Sequence, residues 1–560
     1  MPKVTFLPGP HSIEVTGGTT LLEAYQDLGL PAFSDCAGAG TCGKCQVRFL
    51  RNAPTPNSVE LDMLSPVSLA TGYRLACQIE AQGDVTVEVA SYGSREAGGV
   101  FAEEFDSDFE LGPSLQRLMP SGAQEQIAFD GTVLAARPAD SRRLLGVAVD
   151  IGTTTLVGYL LDLETGQQLE AMALGNTQGV HGADVITRIG YASSRPDGVE
   201  RLQELVVAGL NELLGNIFRK ASVRPEDAYH AVVVGNPTMV HFFLGVDPKQ
   251  IAGPPFEPVF KKAQWTTAGK LSLGINRRAV VETLPMVSGY VGADTMGMAL
   301  FLRLDERDEN CLAVDVGTNG EMILSRLGKL FACSTAAGPA FEGARIYCGM
   351  RAQAGAIDVV TAHVAERAIN CHVVGNERPR GLCGTGLVSA VASFLDAGIV
   401  LPSGQFHSDG WDGHFRQSRS QRELLLADAA QTAHGGDVVL NQKDVRELQL
   451  AKGAVAAGAQ RLMEHAGISL ADLDHIYLAG AFGSRLDPRS ALRIGLLPPV
   501  PEEKVVAVGN AAGGGAKMVL CSKEMRQVVA DIAVCVEYVE LTGDKRFDEL
   551  FMEHLSFPSC

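Results

Sequence analysis

LLGVAVDIGTTTLVGYLLD, residues 144–162, is an apolar run that ends in an aspartate, turns through glycine and threonine, and leaves as a second apolar run. LLGVAVD reads as a buried strand, IGTTT as a tight polar turn and LVGYLLD as a strand going back, with LETGQ and QLEAMAL adding a turn and a third strand. The same order returns further along as NCLAVD, VGTNG, EMILSR, LGK and LFACST, residues 310–335. Asp150, Gly152 and Thr153 then correspond to Asp315, Gly317 and Thr318. A single recurrence of this size means two similar lobes, not a solenoid.

The turns suggest a chemistry. Glycine lets phosphate approach the backbone, threonine hydroxyls and N–H groups bond its oxygens, and an aspartate can hold Mg²⁺ directly or through water. Two such turns from opposed lobes can clamp one polyphosphate, with Gly152, Thr153, Thr154, Gly317, Thr318 and Asn319 as candidate contacts and Asp150 and Asp315 as candidate catalytic carboxylates. Amphipathic helices such as GVERLQELVVAGLNELLGNIFRK alternate with the strands, which indicates an α/β architecture. Three more segments, AVVVGNPTMVHFFL, HIYLAGAFGSRLDPRSAL and KVVAVGNAAGGGAKMVL, run strand, glycine loop, helix, the arrangement in which backbone donors and the helix dipole face an anion. Each loop alone is compatible with an ordinary turn; their ordered recurrence points to one nucleotide cleft.

STAAGPAFEGARI, residues 334–346, follows the third strand of the second unit. Gly338 and Gly343 make room for a nucleotide there, while Glu342 either acts through Mg²⁺, positions an attacking water or forms an ordinary salt bridge; Glu321 has the same alternatives. Asp294 in GYVGADTMG reads as a kinase-type base or a helix cap, with the cap favoured. His241 and His475 show no ligand spacing and read as core or surface residues.

Near the N-terminus SDCAGAGTCGKCQV places Cys36, Cys42 and Cys45 in a glycine-rich loop, and Cys77 follows after a long gap. Four thiolates at this spacing are close to the plant-type arrangement for a [2Fe-2S] cluster, and Gly38, Gly40 and Gly43 would let the loop wrap a cluster without side-chain bulk. Structural zinc is the alternative, although zinc sites usually use two short C-x2-C knuckles and only one is present. Short alternating runs, KVTFL and SIEVT, a helix TTLLEAYQDLGL, and strands VRFL, YRLACQIEA and DVTVEVA surround these cysteines. The other eight of the twelve cysteines scatter through apolar or glycine-rich segments and read as small hydrophobes or inert thiols. From Ser91 to Arg143 the pattern weakens, with QIAFDGTVL the main strand-like fragment, so the stretch reads as a linker with some structure.

A chain of 560 residues must divide into several cores. Its net charge of -18, from 47 basic and 65 acidic residues, disfavours nucleic acid and anionic membrane as partners. No stretch reads as a signal peptide or membrane span, which sets a cytoplasmic expectation.

The cysteine stretch resembles the [2Fe-2S] ferredoxin family, whose adrenodoxin-like branch has the five-residue first gap. The two aspartate turns resemble the first and second phosphate loops of the superfamily of acetate and sugar kinases, Hsp70 and actin, and LAGAFGSRLD resembles its adenosine motif. That resemblance implies nucleotide contacts at Gly338, Gly480, Phe482 and Gly483, with Gly513 in a further wall of the cleft. The fold class that follows is α/β, with an α+β ferredoxin-like domain of β-grasp type over residues 1–92. A linker over 93–143 then leads to a duplicated two-lobed actin/Hsp70-like ATPase domain, with lobes at 144–310 and 311–560.

Together, the cluster loop with DVGTNGE, AGPAFEGARI, RELQLAKGA and LAGAFG resembles the reductive activators of corrinoid proteins over almost the whole chain. The resemblance implies ATP-dependent electron transfer from a [2Fe-2S] cluster that reduces a partner's cob(II)amide to cob(I)amide, with ATP, Mg²⁺, a corrinoid methyl-carrier protein, a low-potential electron donor and a homodimer. Family members carry a further small domain between linker and ATPase core, for which the stretch before residue 144 is too short. A redox-regulated small-molecule kinase and a non-catalytic ATP-gated redox sensor are the alternatives; neither has an evident use for a low-potential cluster loop.

Overall fold

The computed structural model describes residues 1–7, 11–28, 30, 34, 38, 40, 43–64, 66–89, 109–119, 124–138, 143–418 and 421–559. The N-terminal sheet has five strands in the order His11–Glu14, Lys3–Leu7, Val85–Val89, Gln46–Phe49, Tyr73–Leu75. Its first and last long strands, Lys3–Leu7 and Val85–Val89, run parallel at the centre while the other pairs are antiparallel, the β-grasp pattern. Thr20 and Glu23 form a capping box that starts the helix Leu21–Asp27. That helix buries Leu21, Leu22 and Ala24 on a core with Val4, Phe6, Val47, Leu75 and Val87. YRLACQIEA is not one strand: pairing stops at Leu75, and Ala76–Gln78 forms a tight turn that carries Cys77.

The stretch read as a linker holds an antiparallel sheet of three strands, Leu115–Leu118, Gln124–Phe129 and Thr132–Pro138. This small sheet is pinned, not loose. Arg137 pairs with buried Glu125 and, at 2.8 Å, with Asp227 of the following lobe. Arg526, far along the chain, pairs with Asp130 and Glu282, both at 2.9 Å. The Arg137 pairs are enclosed and costly to break singly, because removing one partner strands a buried charge.

The two strand-turn-strand units each open a six-stranded sheet. In the first, the order is Gln168–Gly175, Thr155–Asp162, Leu145–Ile151, Ala228–Gly235, Val280–Thr283, Trp265–Thr267. In the second it is Val505–Ala507, His475–Ala479, Asn310–Val316, Gly320–Arg326, Lys329–Thr335, Glu537–Tyr538. Each aspartate turn joins two antiparallel strands, and a parallel strand follows on the far side of the first, Ala228–Gly235 in one lobe and His475–Ala479 in the other. The duplication expected from the sequence is therefore a duplication of topology. Helix Gly198–Lys220 packs its apolar stripe of Leu202, Val206, Leu210, Leu213, Leu214 and Ile217 on the first sheet.

Chain order and spatial order part company at the C-terminal end. Helix Ala511–Cys521 leaves the second sheet and joins the core of the first lobe, where Ala511, Ala516 and Val519 pack with Tyr159, Val232 and Met296. It meets helix Ala293–Phe301 through glycines: a Cβ on Gly515 would lie 2.1 Å from the Gly297 carbonyl oxygen. Only a residue without a side chain allows this approach. Gly515→Ala should therefore destabilise the protein by about 1–3 kcal/mol in denaturant titrations, whereas Gly215→Ala, at a helical position with nothing within 4 Å of the new Cβ, should leave stability unchanged or raise it by about 0.5–1 kcal/mol.

Candidate functional site

The two aspartate turns face one cleft. In each, the glycine N–H closes the turn on itself: Gly152 donates to the Thr155 carbonyl and Gly317 to that of Asn319, both at 2.9 Å. Gly152 is needed sterically, since a Cβ would sit 2.7 Å from the Thr155 oxygen. Asn236 donates to Thr153 Oγ1 at 2.9 Å, Asn176 to the Gly152 carbonyl at 2.8 Å, and buried Arg188 to the Thr153 carbonyl at 2.5 Å and that of Gly182 at 2.9 Å. Burial pushes the Arg188 guanidinium down to about 9. These three side chains brace the first turn, and sequence patterns do not single them out. Asn176 and Asn236 are caps after strands, indistinguishable from ordinary caps until the amide is seen to reach the turn, and Arg188 lies within the helix Val185–Ser194 with no local signal.

Four carboxylates share the cleft. Asp150 and Asp315 end equivalent strands, Glu321 stands opposite Asp315 in the antiparallel register, and Asp294 opens the helix that packs on Ala511–Cys521. Enclosure by protein, with mutual repulsion added, pushes Asp150 and Asp315 each up to about 7. For Asp294, enclosure is the main cause of a rise to about 6, opposed by hydrogen bonds from Thr295; Glu321 is pushed well up by enclosure and by Asp294 and Asp315. Asn510 opposes this at one point, donating to Asp150 Oδ2 at 2.9 Å while its own oxygen caps the Gly513 N–H. Asp294 is thus not the helix cap: the cap position is Gly292, and the Asp294 carboxylate accepts from its neighbour Thr295 at 2.7 Å. The field of that carboxylate reaches Asp150, Asp315 and Glu321.

Glu342 joins the two turns. It accepts from the Thr318 hydroxyl at 2.8 Å and from the Thr154 hydroxyl of the opposite lobe. Its one-turn helix Pro339–Glu342 lies between Gly338 and Gly343, whose φ of 81° and 76° favour glycine, and the Gly338 N–H is tied to the Thr318 carbonyl at 2.9 Å. Gly480 closes the adenosine-like motif directly on Asp315, since a Cβ would fall 2.1 Å from Oδ1. Phe482 leans on Phe341 with ring centroids 5.0 Å apart, and Gly483 packs under Leu478. A Cβ on Gly513 would meet the Tyr159 ring at 2.7 Å, and the Gly513 N–H donates to the Asn510 amide oxygen at 2.8 Å.

Among the described residues no three His, Cys, Asp or Glu side chains converge tightly enough to hold a metal by themselves. For Mg²⁺ this set still fits, because the ion keeps several waters and usually takes one or two carboxylates plus substrate phosphates. Of the four cluster cysteines, Cys36 and Cys42 lie outside the described residues. Cys45 is buried at the start of its strand, and its carbonyl accepts from Ala76 at 2.7 Å, which ties it to the turn of Cys77. Gln78 donates to the Cys77 sulfur at 3.4 Å. Gly38, Gly40 and Gly43 have φ of 95°, 75° and 66°, and a Cβ on Gly40 would meet Gln78 at 2.9 Å. A loop bent this way, with an amide donor on a thiol, fits a thiolate-held cluster. Cys311, Cys333, Cys348, Cys371 and Cys521 have thiols pushed up to about 11 or 12 by burial, as suits inert packing groups. His241 is a core residue, accepting from the Val259 N–H and bonded to the Pro237 carbonyl.

Comparison with known proteins matches three family models in succession along the chain. Residues 4–82 match the 2Fe-2S iron-sulfur cluster binding domain, 145–307 the RACo middle region, and 309–560 the C-terminal domain of RACo, the ASKHA domain. The middle region expected to be missing is therefore present, as the first lobe itself. The chain is 31% identical over 99% of both lengths to a corrinoid activation enzyme, RamQ, of Eubacterium limosum. It is 25% identical to a [Co(II) methylated amine-specific corrinoid protein] reductase of Methanosarcina barkeri, over 74% of this chain and 77% of that one. A solved reductive activator for a corrinoid, iron-sulfur protein superposes with a TM-score of 0.75 at 30% identity, covering 100% of this chain and 99% of the other. With a relative aligned over its full length and a cluster-binding domain joined to both RACo regions, the chain belongs to the family of reductive activators of corrinoid proteins.

Proposed function

We propose that this protein is an ATP-dependent electron-transfer activase that reduces the cob(II)amide of a partner corrinoid protein to the methyl-accepting cob(I)amide. The observation that carries the reading is the union, in one chain, of a 2Fe-2S cluster binding domain with paired phosphate-type turns, in a protein whose full-length relative is named for corrinoid activation. Cys36, Cys42, Cys45 and Cys77 hold the cluster. When bound, the cluster supplies a one-electron couple near about -400 mV. A low-potential donor restores that electron after each transfer, the protein works in the cytoplasm, and two chains pair.

Cob(I) formation lies uphill from such a couple, so ATP must favour one of two conformational states through different free energies in each. Thr153, Thr154, Thr318 and Asn319 bind the phosphates, with Gly152 and Gly317 shaping the turns. Asp150 and Asp315 organise Mg²⁺, and the Asn510 amide favours the ionised form of Asp150 against the enclosure that raises it. Asp294, Glu321 and Glu342 orient the attacking water and take up its proton; Gly338, Gly480, Phe482 and Gly483 seat the nucleoside.

Anaerobic protein, given reductant and a cob(II)-loaded partner, should produce the cob(I) absorption only with ATP; the same rate and extent without nucleotide would overturn the reading. A second expectation concerns pH. Because enclosure pushes Asp150 and Asp315 up to about 7, protons compete with Mg²⁺. The Mg²⁺ concentration for half-maximal ATP hydrolysis should therefore rise as pH falls through 7. Asn510→Ala, which removes a bond that lowers Asp150, should move that dependence to higher pH.

A further inference from the structure

The iron-sulfur domain touches both lobes, and it touches them at segments attached to the phosphate turns. On the first lobe, Gln26 at the end of helix Leu21–Asp27 donates to the Val180 carbonyl at 2.5 Å. Val180 belongs to the turn Thr177–His181, which begins beside Asn176; Asn176 in turn bonds Thr154 through its N–H and Gly152 through its amide, both at 2.8 Å. On the second lobe, Lys44, immediately before Cys45, donates to the carbonyls of Ile346 at 3.1 Å and Gly349 at 2.6 Å. Asp444, which accepts from the Tyr347 N–H at 2.7 Å, adds its attraction for the ammonium.

The segment that receives Lys44 also carries Glu342. It is tightly folded: a Cβ on Gly349 would lie 2.0 Å from the Gly343 carbonyl oxygen, the Gly349 N–H bonds Ile346 at 3.0 Å, and Met350 is tied to Leu382 at 2.9 Å. A displacement of Glu342 is therefore passed to Ile346 and Gly349. Glu342 occupies the hydroxyls of Thr154 and Thr318, the groups assigned above to phosphate. A polyphosphate cannot take those hydroxyls while a carboxylate of like charge holds them, so Glu342 must withdraw. Hydrogen bonds weaken steeply with distance and angle, and a shift of an ångström or so is enough to cost Lys44 its acceptors.

We propose that the iron-sulfur domain is a clasp across the two lobes, closed by Lys44 and Gln26, and that nucleotide opens it through Glu342. Docking of the cluster loop and binding of ATP then oppose one another, and by linkage each weakens the other by the same factor. ATP thereby determines when the loop bearing Cys45 leaves the lobes and becomes available to a partner. This inference rests on the nucleotide and cluster assignments made above.

The test is binding of the non-hydrolysable analogue AMP-PNP with Mg²⁺ to the full chain, followed by calorimetry, with the visible absorption of the cluster as the check on folding. Lys44→Ala should bind the analogue about fivefold or more tightly than the parent, a coupling within the usual range. Gln26→Ala, outside the cysteine loop, should shift affinity in the same direction, and Lys3→Ala, an exposed lysine of the same domain, should leave it unchanged. In small-angle X-ray scattering the parent with AMP-PNP should expand towards the profile of nucleotide-free Lys44→Ala. Unchanged or weaker affinity in Lys44→Ala with its absorption intact overturns the clasp; if that variant loses its absorption, Gln26→Ala and the parent's scattering decide. A parent that binds no nucleotide at all removes the functional reading instead.

Discussion

Four carboxylates enclosed in one cleft cannot all be ionised without a cation, and much of the molecule is arranged around that constraint. Asp150 and Asp315 are held at the ends of equivalent strands by two copies of one topology, so their separation is set by how the lobes meet. Asp294 adds charge from a helix and raises Asp150, Asp315 and Glu321, and Asp315 in turn raises Asp150 and Glu321. Water cannot fully compensate in so enclosed a place; Mg²⁺ with a polyphosphate can, because the ion restores the ionised form that repulsion disfavours.

That arrangement depends on a crossing of the chain. Helix Ala511–Cys521 comes from the second lobe's end of the sequence yet packs in the core of the first, and its capping residue Asn510 is the group that touches Asp150. Its partner helix, Ala293–Phe301, carries Asp294 into the same cleft. The glycine contact between Gly297 and Gly515 is therefore more than packing, since it sets the distance between two polar groups of the site. Arg526, on the next helix, extends the connection to the small sheet 115–138 through Asp130. The first lobe, the sheet before it and the last helices are joined by packing and ion pairs.

Glu342 plays a different part, as a bridge. With the cleft closed on its carboxylate, hydroxyls from both lobes are satisfied without nucleotide. An activase that moves an electron uphill needs a stable resting state and a ligand that disfavours it, because a ligand with equal affinity for both states shifts nothing.

Local patterns carried the sequence reading where chemistry and geometry are local. The paired aspartate turns, the five-residue and two-residue cysteine gaps with their glycines, and the capped helix Leu21–Asp27 depend on neighbours in the chain, and they were legible. The strand assignment around Cys77 failed because a three-residue turn inside an apolar run leaves no periodicity to detect. The sheet at 115–138 shows only weak periodicity because its short strands are held by ion pairs to distant Asp227 and Arg526, neither of which marks the segment itself. Arg188, Asn176, Asn236, Asn510 and Asp294 acquire their roles only through contacts across long separations. The duplicated aspartate turns and the cluster-binding domain were thus determined by the sequence alone, through short-range spacing. How the lobes close on Glu342, which carboxylates repel, and where Lys44 and Gln26 rest were decided by the tertiary structure, because those energies fall off within a few ångströms and depend on pairs that only folding brings together.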